Sequence, residues 1–134
     1  MTAFTSTMGL AIIRYSFDGE DFDTAPESVY FALHNDDPGD DGTENEVSAP
    51  DYQRMQLQQE NWDIAGQRPT EAVYTTRVIF PEAQSDWGTI THGTIWNSSD
   101  GSGMAMYRGE PDEVQVINEG DTYEVPNDEI RVRV

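Results

Sequence analysis

From Ser28 onward the chain is a succession of short apolar runs broken by turn formers, and few folds accept that pattern. The runs are Ser28–His34, Tyr52–Asn61, Ala72–Phe80, Gly88–Asn97, Gly103–Gly109, Val114–Ile117, Thr122–Val125 and Glu129–Val134. Pro81, Asn97–Gly101, Glu110-Pro111, Asn118–Gly120 and Pro126-Asn127 punctuate them. Strands at this spacing predict an all-β fold, a jelly-roll-like β-sandwich of about seven to nine short strands. In the first run Val29, Phe31 and Leu33 share one face and Tyr30, Ala32 and His34 the other. Both faces are largely apolar, which places this strand in the interior of a sheet. In the last, Ile130, Val132 and Val134 alternate with Arg131 and Arg133, as in a half-buried strand. One short N-terminal helix is predicted over residues 7–17, N-capped by Thr7 and stopped at Asp18-Gly19. Leu10, Ile13 and Phe17 form its apolar stripe, with Ile12 beside it. No repeat or linker divides residues 1–134, so one domain is expected.

Charge decides what such a domain can touch. The 134 residues carry 26 Asp and Glu against seven Arg and no Lys, for a net charge of −19. Nucleic-acid binding rests on cationic side chains that neutralise phosphates, and this surface repels a polyanion. An anionic membrane leaflet is repelled for the same reason. Membrane insertion is not expected either, since the longest apolar stretch, Met8–Ile13, is far short of the ~18 residues a span requires. Met1–Gly9 lacks the basic start and apolar run of a secretory leader, so none is expected. With no cysteine, disulfides and thiolate metal sites are excluded. The three Trp, six Tyr and five Phe argue for an ordered core despite the charge. Self-repulsion at −19 destabilises a compact chain in dilute salt, whereas at about 1 M the Debye length falls to ~3 Å. Carboxylate excess with every cation an Arg is the composition expected of a halophile's protein, and an acidic mesophilic protein lacking Lys by chance is the alternative. The excess is uneven, with twelve acids and no Arg between Asp18 and Asp51.

Few residues carry recognisable chemistry. His34 and His92 each fall at or near a strand end, without HxH or HExxH spacing, and would have to meet across strands to share a metal with a carboxylate. A structural role is the preferred reading of both. The loop Asn35–Glu44 offers Asp36, Asp37, Asp40 and Asp41 to structural calcium or magnesium. It fails the EF-hand pattern, with Gly39 at the third position from Asp37 and Ser48 at the twelfth, and a solvated acidic loop is preferred. Acid–base carboxylate pairs are unreadable among 26 acids. Gly101-Ser102-Gly103 is a turn and not a nucleophile elbow, and no phosphate-binding loop exists without Lys. No enzyme and no cofactor is therefore expected. Trp62 and Trp96 are the candidate contacts to a glycan, although Trp87 and Trp96, flanking one strand, read better as closing two ends of a core.

An ordered series of motifs adds a resemblance. Val29–Gly39 contains Ala-Leu-His34 followed by Asp37-Pro-Gly39, and Glu46-Val-Ser48 and Tyr52-Gln-Arg54 come next. Val78-Ile-Phe-Pro81, Trp87-Gly-Thr-Ile-Thr-His92, the Gly101–Gly103 turn, Tyr107, Gly109 and Gly120-Asp121 continue it. From about Leu10 to Val134 this series resembles the tail fibre proteins of small tailed phages and haloarchaeal tailed viruses. It departs from them at the polar Gln56–Asp63, where relatives carry an Ala- and Gly-rich stretch, and at Gly66–Glu71. The resemblance implies a virion structural protein, exposed as a tail fibre or baseplate component or as a capsid decoration (turret) subunit. It implies a homo-oligomer that contacts other virion proteins and is assembled in the host cytoplasm. With the composition, it points to a virus of a halophilic archaeon. Ile130–Val134 is the segment expected to add to a neighbour's sheet edge. A carbohydrate-binding module for a host surface glycan is the alternative.

Overall fold

The computed structural model describes residues 2–21, 28–66 and 70–133. The expected all-β fold with one short N-terminal helix is what it contains. Twelve strands occur among the described residues, more than the seven to nine expected, because two predicted runs change sheet at a corner and two strands lie outside the predicted runs.

The largest sheet has five antiparallel strands. These are β1 (Thr2–Phe4), β2 (Val29–His34), β3 (Met55–Leu57), β8 (His92–Trp96) and β9 (Ala105–Gly109), in spatial order β1-β9-β8-β2-β3. A three-stranded sheet joins β4 (Trp62–Ala65), β5 (Glu71–Tyr74) and β12 (Arg131–Arg133), with β5 central. Two ribbons complete the set: β6 (Val78–Ile79) with β11 (Glu124–Val125), and β7 (Gly88–Ile90) with β10 (Gln115–Ile117). The predicted run Ala72–Phe80 is therefore two strands, β5 and β6, in different sheets. Gly88–Asn97 likewise divides at Thr91, whose N–H donates to the His34 carbonyl at 3.0 Å. Period-two alternation continues through such corners and cannot reveal them. β1 and β4 are strands the apolar pattern does not announce.

All four sheets bury side chains in one core. Leu33, Leu57, Ile95 and Met106 come from the large sheet and Tyr74 and Val132 from the three-stranded one. Val78, Val125, Ile90 and Ile117 come from the ribbons. Phe80 sits among them, edge-on to Trp87 at 6.1 Å and to Tyr123 at 5.7 Å, the T-shaped geometry that aromatic quadrupoles favour. β2 lies between β8 and β3, the interior position its two apolar faces predict.

The C-terminal alternation also holds: Val132 is buried while Arg131 and Arg133 are exposed and pair with Glu71. Val134 lies outside the described residues. β12 hydrogen-bonds to β5 alone and has β1 near it; β1 and β3 end the five-stranded sheet, and β12 and β4 the three-stranded one.

The helix α1 spans Ser6–Ile13, and a π-helical turn, Arg14–Asp18, extends it to a left-handed Gly19. Its N-cap is Thr5, not Thr7. Three cap-competent residues stand in a row, and tertiary structure selects among them. The Thr5 hydroxyl donates to the Ala105 carbonyl at 2.6 Å and accepts from the Met8 N–H at 3.1 Å. That pair of bonds fixes the helix start against β9.

Candidate functional site

The second face of the large sheet holds most of the residues the sequence singles out. Tyr30, Ala32 and His34 of β2 and His92, Thr94 and Trp96 of β8 lie on it, since His34 pairs with His92 and Tyr30 with Trp96. Residues 39–46 and Arg54 fold over this face, while Val47, Ala49 and Tyr52 between them pack against the main core. The loop backbone returns beside β2, with Asn35 N–H donating to Asn45 O at 2.9 Å and Val47 N–H to Leu33 O at 3.0 Å. Ser6 N–H donates to Asp40 O at 2.7 Å and joins the loop to the helix start. This cover explains why β2 is apolar on both sides. The long acidic loop is a lid over a second, smaller core of Ala32, Trp96 and Ala105.

His34 is fully buried and bonded at both ring nitrogens. Nδ1 lies 2.7 Å from the Glu44 carbonyl, which only accepts, so Nδ1 carries the proton. Nε2, 2.8 Å from Thr94 Oγ1, then accepts the threonine hydroxyl. That hydroxyl oxygen accepts Trp96 Nε1–H at 2.7 Å, and the chain of donors is complete with neutral histidine. Burial lowers the His34 pKa below its usual value, against the opposing pull of the Glu44 carbonyl and Glu46. The two histidines do meet across strands. Their rings have separate partners, His92 facing Thr91 Oγ1 at 2.9 Å and Glu110 at 3.4 Å. With both nitrogens committed, His34 has no lone pair for a cation.

Arg54 locks the loop from the other end. Its guanidinium lies 3.8 Å above the centre of the Trp96 ring and forks onto Glu46, Nη2 to Oε1 at 2.7 Å and Nε to Oε2 at 2.9 Å. Tyr52 donates to the same Glu46 Oε2 at 2.9 Å and accepts the Leu33 N–H. Burial would raise the Glu46 carboxyl, but the hydrogen bonds from Arg54 and Tyr52 outweigh it and hold the group below its usual range. The Glu46-Val-Ser and Tyr52-x-Arg motifs are thus one buried fastening.

The loop acids shape turns. Asp36 accepts the Asp37 N–H, Asp37 accepts the Gly39 N–H at 2.8 Å, and Asp41 accepts both the N–H and hydroxyl of Thr43. Asp37 also faces Arg108 at 3.2 Å. The Asp40 carbonyl is the acceptor of Ser6. Among the described residues no three His, Asp or Glu side chains converge as a metal site would need.

The two candidate glycan contacts differ in access. Trp96 is buried beneath Arg54, whereas Trp62 is half-buried on β4, edge-on to Tyr74 at 5.1 Å. Trp87 is buried in the main core and Trp96 in the smaller one, so each closes a different core.

A cleft of about 350 Å³ opens between the large sheet and β12, lined by Phe31, Tyr107, Arg108, Asp112, Glu129 and Arg131 among others. Arg108 reaches out of it to the Gly39 carbonyl at 2.7 Å, and Arg131 to Glu71 at 3.3 Å. Burial raises the Glu129 carboxyl, which accepts the Asp112 N–H at 3.3 Å. Neither histidine lines the cleft.

The feature that sequence reasoning missed is on the surface. Leu10, Ile13 and Phe17, the apolar stripe of the helix, are exposed at 49%, 54% and 80%. A signal for it exists in the sequence: residues 1–17 contain no Asp or Glu, and all 26 acids follow.

The chain matches the family described as Podophage GP4 fiber I protein gp80 over residues 3–133. No curated protein matches it.

Proposed function

The chain belongs to the podophage GP4 fiber I protein gp80 family, and on that premise we propose that it is a non-enzymatic structural protein on the exterior of a halophilic tailed virus. The family match across nearly the whole chain carries this reading, and its description favours a tail-fibre position over baseplate or capsid decoration. The geometry supports a structural role: His34, Glu46, Arg54 and the loop aspartates are spent on holding residues 35–54 to the sheet. Copies associate with one another and with other virion proteins after assembly in the host cytoplasm. The charge of −19 without Lys supports brine as the working solvent, where screening removes most self-repulsion.

The test is mass spectrometry of particles purified by density gradient at high salt. The reading expects this chain at many copies per particle. Its presence in the infected-cell lysate but absence from pure particles would overturn it.

A further inference from the structure

We infer that the N-terminal helix is the seam at which a second copy of this chain docks. This inference rests on the homo-oligomeric part of the proposed function and names the surface responsible.

No residue of α1 is buried within its own chain. An isolated helix of this length is marginal in water, and helices in proteins owe most of their stability to packing one apolar face. Here the chain supplies the Thr5 cap, the Ser6 N–H bond to Asp40 O and the packing of half-buried Met8, Ala11 and Ile12, with β9 and β1 the strands nearest the helix. Leu10, Ile13 and Phe17 point away, and Phe4 on neighbouring β1 is 42% exposed. Apolar patches of a few hundred Å² on a monomer often mark an interaction site. A stable interface buries about 800 Å² per partner, so the patch forms the apolar centre of one, with polar flanks making up the rest.

Charge identifies the occupant. A basic partner would be drawn to the acidic remainder of the molecule, not to its longest acid-free segment. An acid-free face helps only a partner that is itself strongly acidic, and a second copy is such a partner. Arg14 is the single charge in the first seventeen residues. Its contact with Glu20, at 4.0 Å with both side chains more than half exposed, is too weak to hold it in place. In a two-fold arrangement the helices run antiparallel, and each Arg14 can exchange Glu20 of its own chain for Asp18, Glu20 or Asp21 of the other. The same surface then meets itself with opposite charges at its rim.

Light scattering on the full chain across concentration in about 2 M KCl, where the Debye length is below ~3 Å, reads the association. Wild type is expected to associate, and Leu10→Glu with Phe17→Glu to weaken association by at least a hundredfold with an unchanged circular-dichroism spectrum. Ile64→Glu, at an exposed apolar site on β4, is expected to leave it unchanged. Because the chain lacks cysteine, Ile13→Cys provides a second readout that keeps the helix apolar. Oxidation should link it into covalent dimers and leave Ile64→Cys without cross-links. A helix double variant that associates like wild type, or an Ile64→Cys that cross-links while Ile13→Cys does not, overturns the seam and leaves self-association standing. A wild-type chain that stays monomeric at every concentration overturns both.

Discussion

The guanidinium of Arg54 lies 3.8 Å from the centre of the Trp96 ring while its Nε and Nη2 grip Glu46. One side chain therefore ties the segment before β3 to β8 and to the returning loop. The Arg54 side chain is only 6% exposed, so removing it strands a partly buried carboxylate. Arg54→Ala is expected to cost about 3 kcal/mol in urea unfolding at fixed high salt. Arg54→Lys keeps the charge but loses the fork and the stacking, and should cost about 1–2 kcal/mol. A loss below ~1 kcal/mol for Arg54→Ala would contradict the fastening.

His34 makes stability depend on pH in a defined direction. Burial lowers its folded pKa below 6.5, so below about that pH the unfolded chain binds a proton the folded chain refuses. Stability is then lost as pH falls, with a slope approaching ~1.4 kcal/mol per pH unit from this one group. Glu46, held below 4.5, adds a further loss through the carboxylate range. His34→Gln should be less stable at pH 8 and flatter between pH 6.5 and 5, as read from urea midpoints. An equal slope in wild type and variant would remove His34 from the account.

Two left-handed glycines separate crowding from backbone strain. At Gly42 (φ 77°) a Cβ would lie 2.8 Å from Ala105 Cβ and 3.1 Å from Thr5 Cγ2, at the junction of loop, helix start and β9. At Gly120 (φ 91°) it would meet nothing within 4 Å. Gly120→Ala should cost about 1 kcal/mol for the conformation alone, and Gly42→Ala about 3 kcal/mol or more because the junction must open. Thermal melts of the two variants check the order, and a smaller loss at Gly42 would contradict the packing.

Salt should act through charge rather than through any single contact. The melting temperature is expected to rise steeply between ~0.1 and ~1 M KCl, as the Debye length falls from ~10 to ~3 Å, and to rise more slowly above that. A melting temperature indifferent to salt over this range would remove the link between −19 and brine.

The sequence made legible what depends on local alternation. β2 as an interior strand, the outward Arg131 and Arg133, and the stop at Gly19 all follow from neighbours in the chain. It hid what depends on distant partners. Nothing local says that Thr5 rather than Thr7 caps the helix, because the choice is made by the Ala105 carbonyl a hundred residues away. Nor does spacing reveal that Trp96 is covered, since its lid is Arg54 on another strand's approach. The histidines were legible as a pair but not as to use: their strands align His34 with His92, and the loop then claims the His34 ring. The exposure of the helix stripe was hidden too, because periodicity reports that a face is apolar, not whether its own chain covers it.

The most direct measurement of the central claim is to locate the protein on the virus. Gold-labelled antibody against this chain, viewed by electron microscopy on intact particles in high salt, should decorate the tail at repeated positions. Label confined to the capsid shell, or absent from particles that carry complete tails, would contradict it.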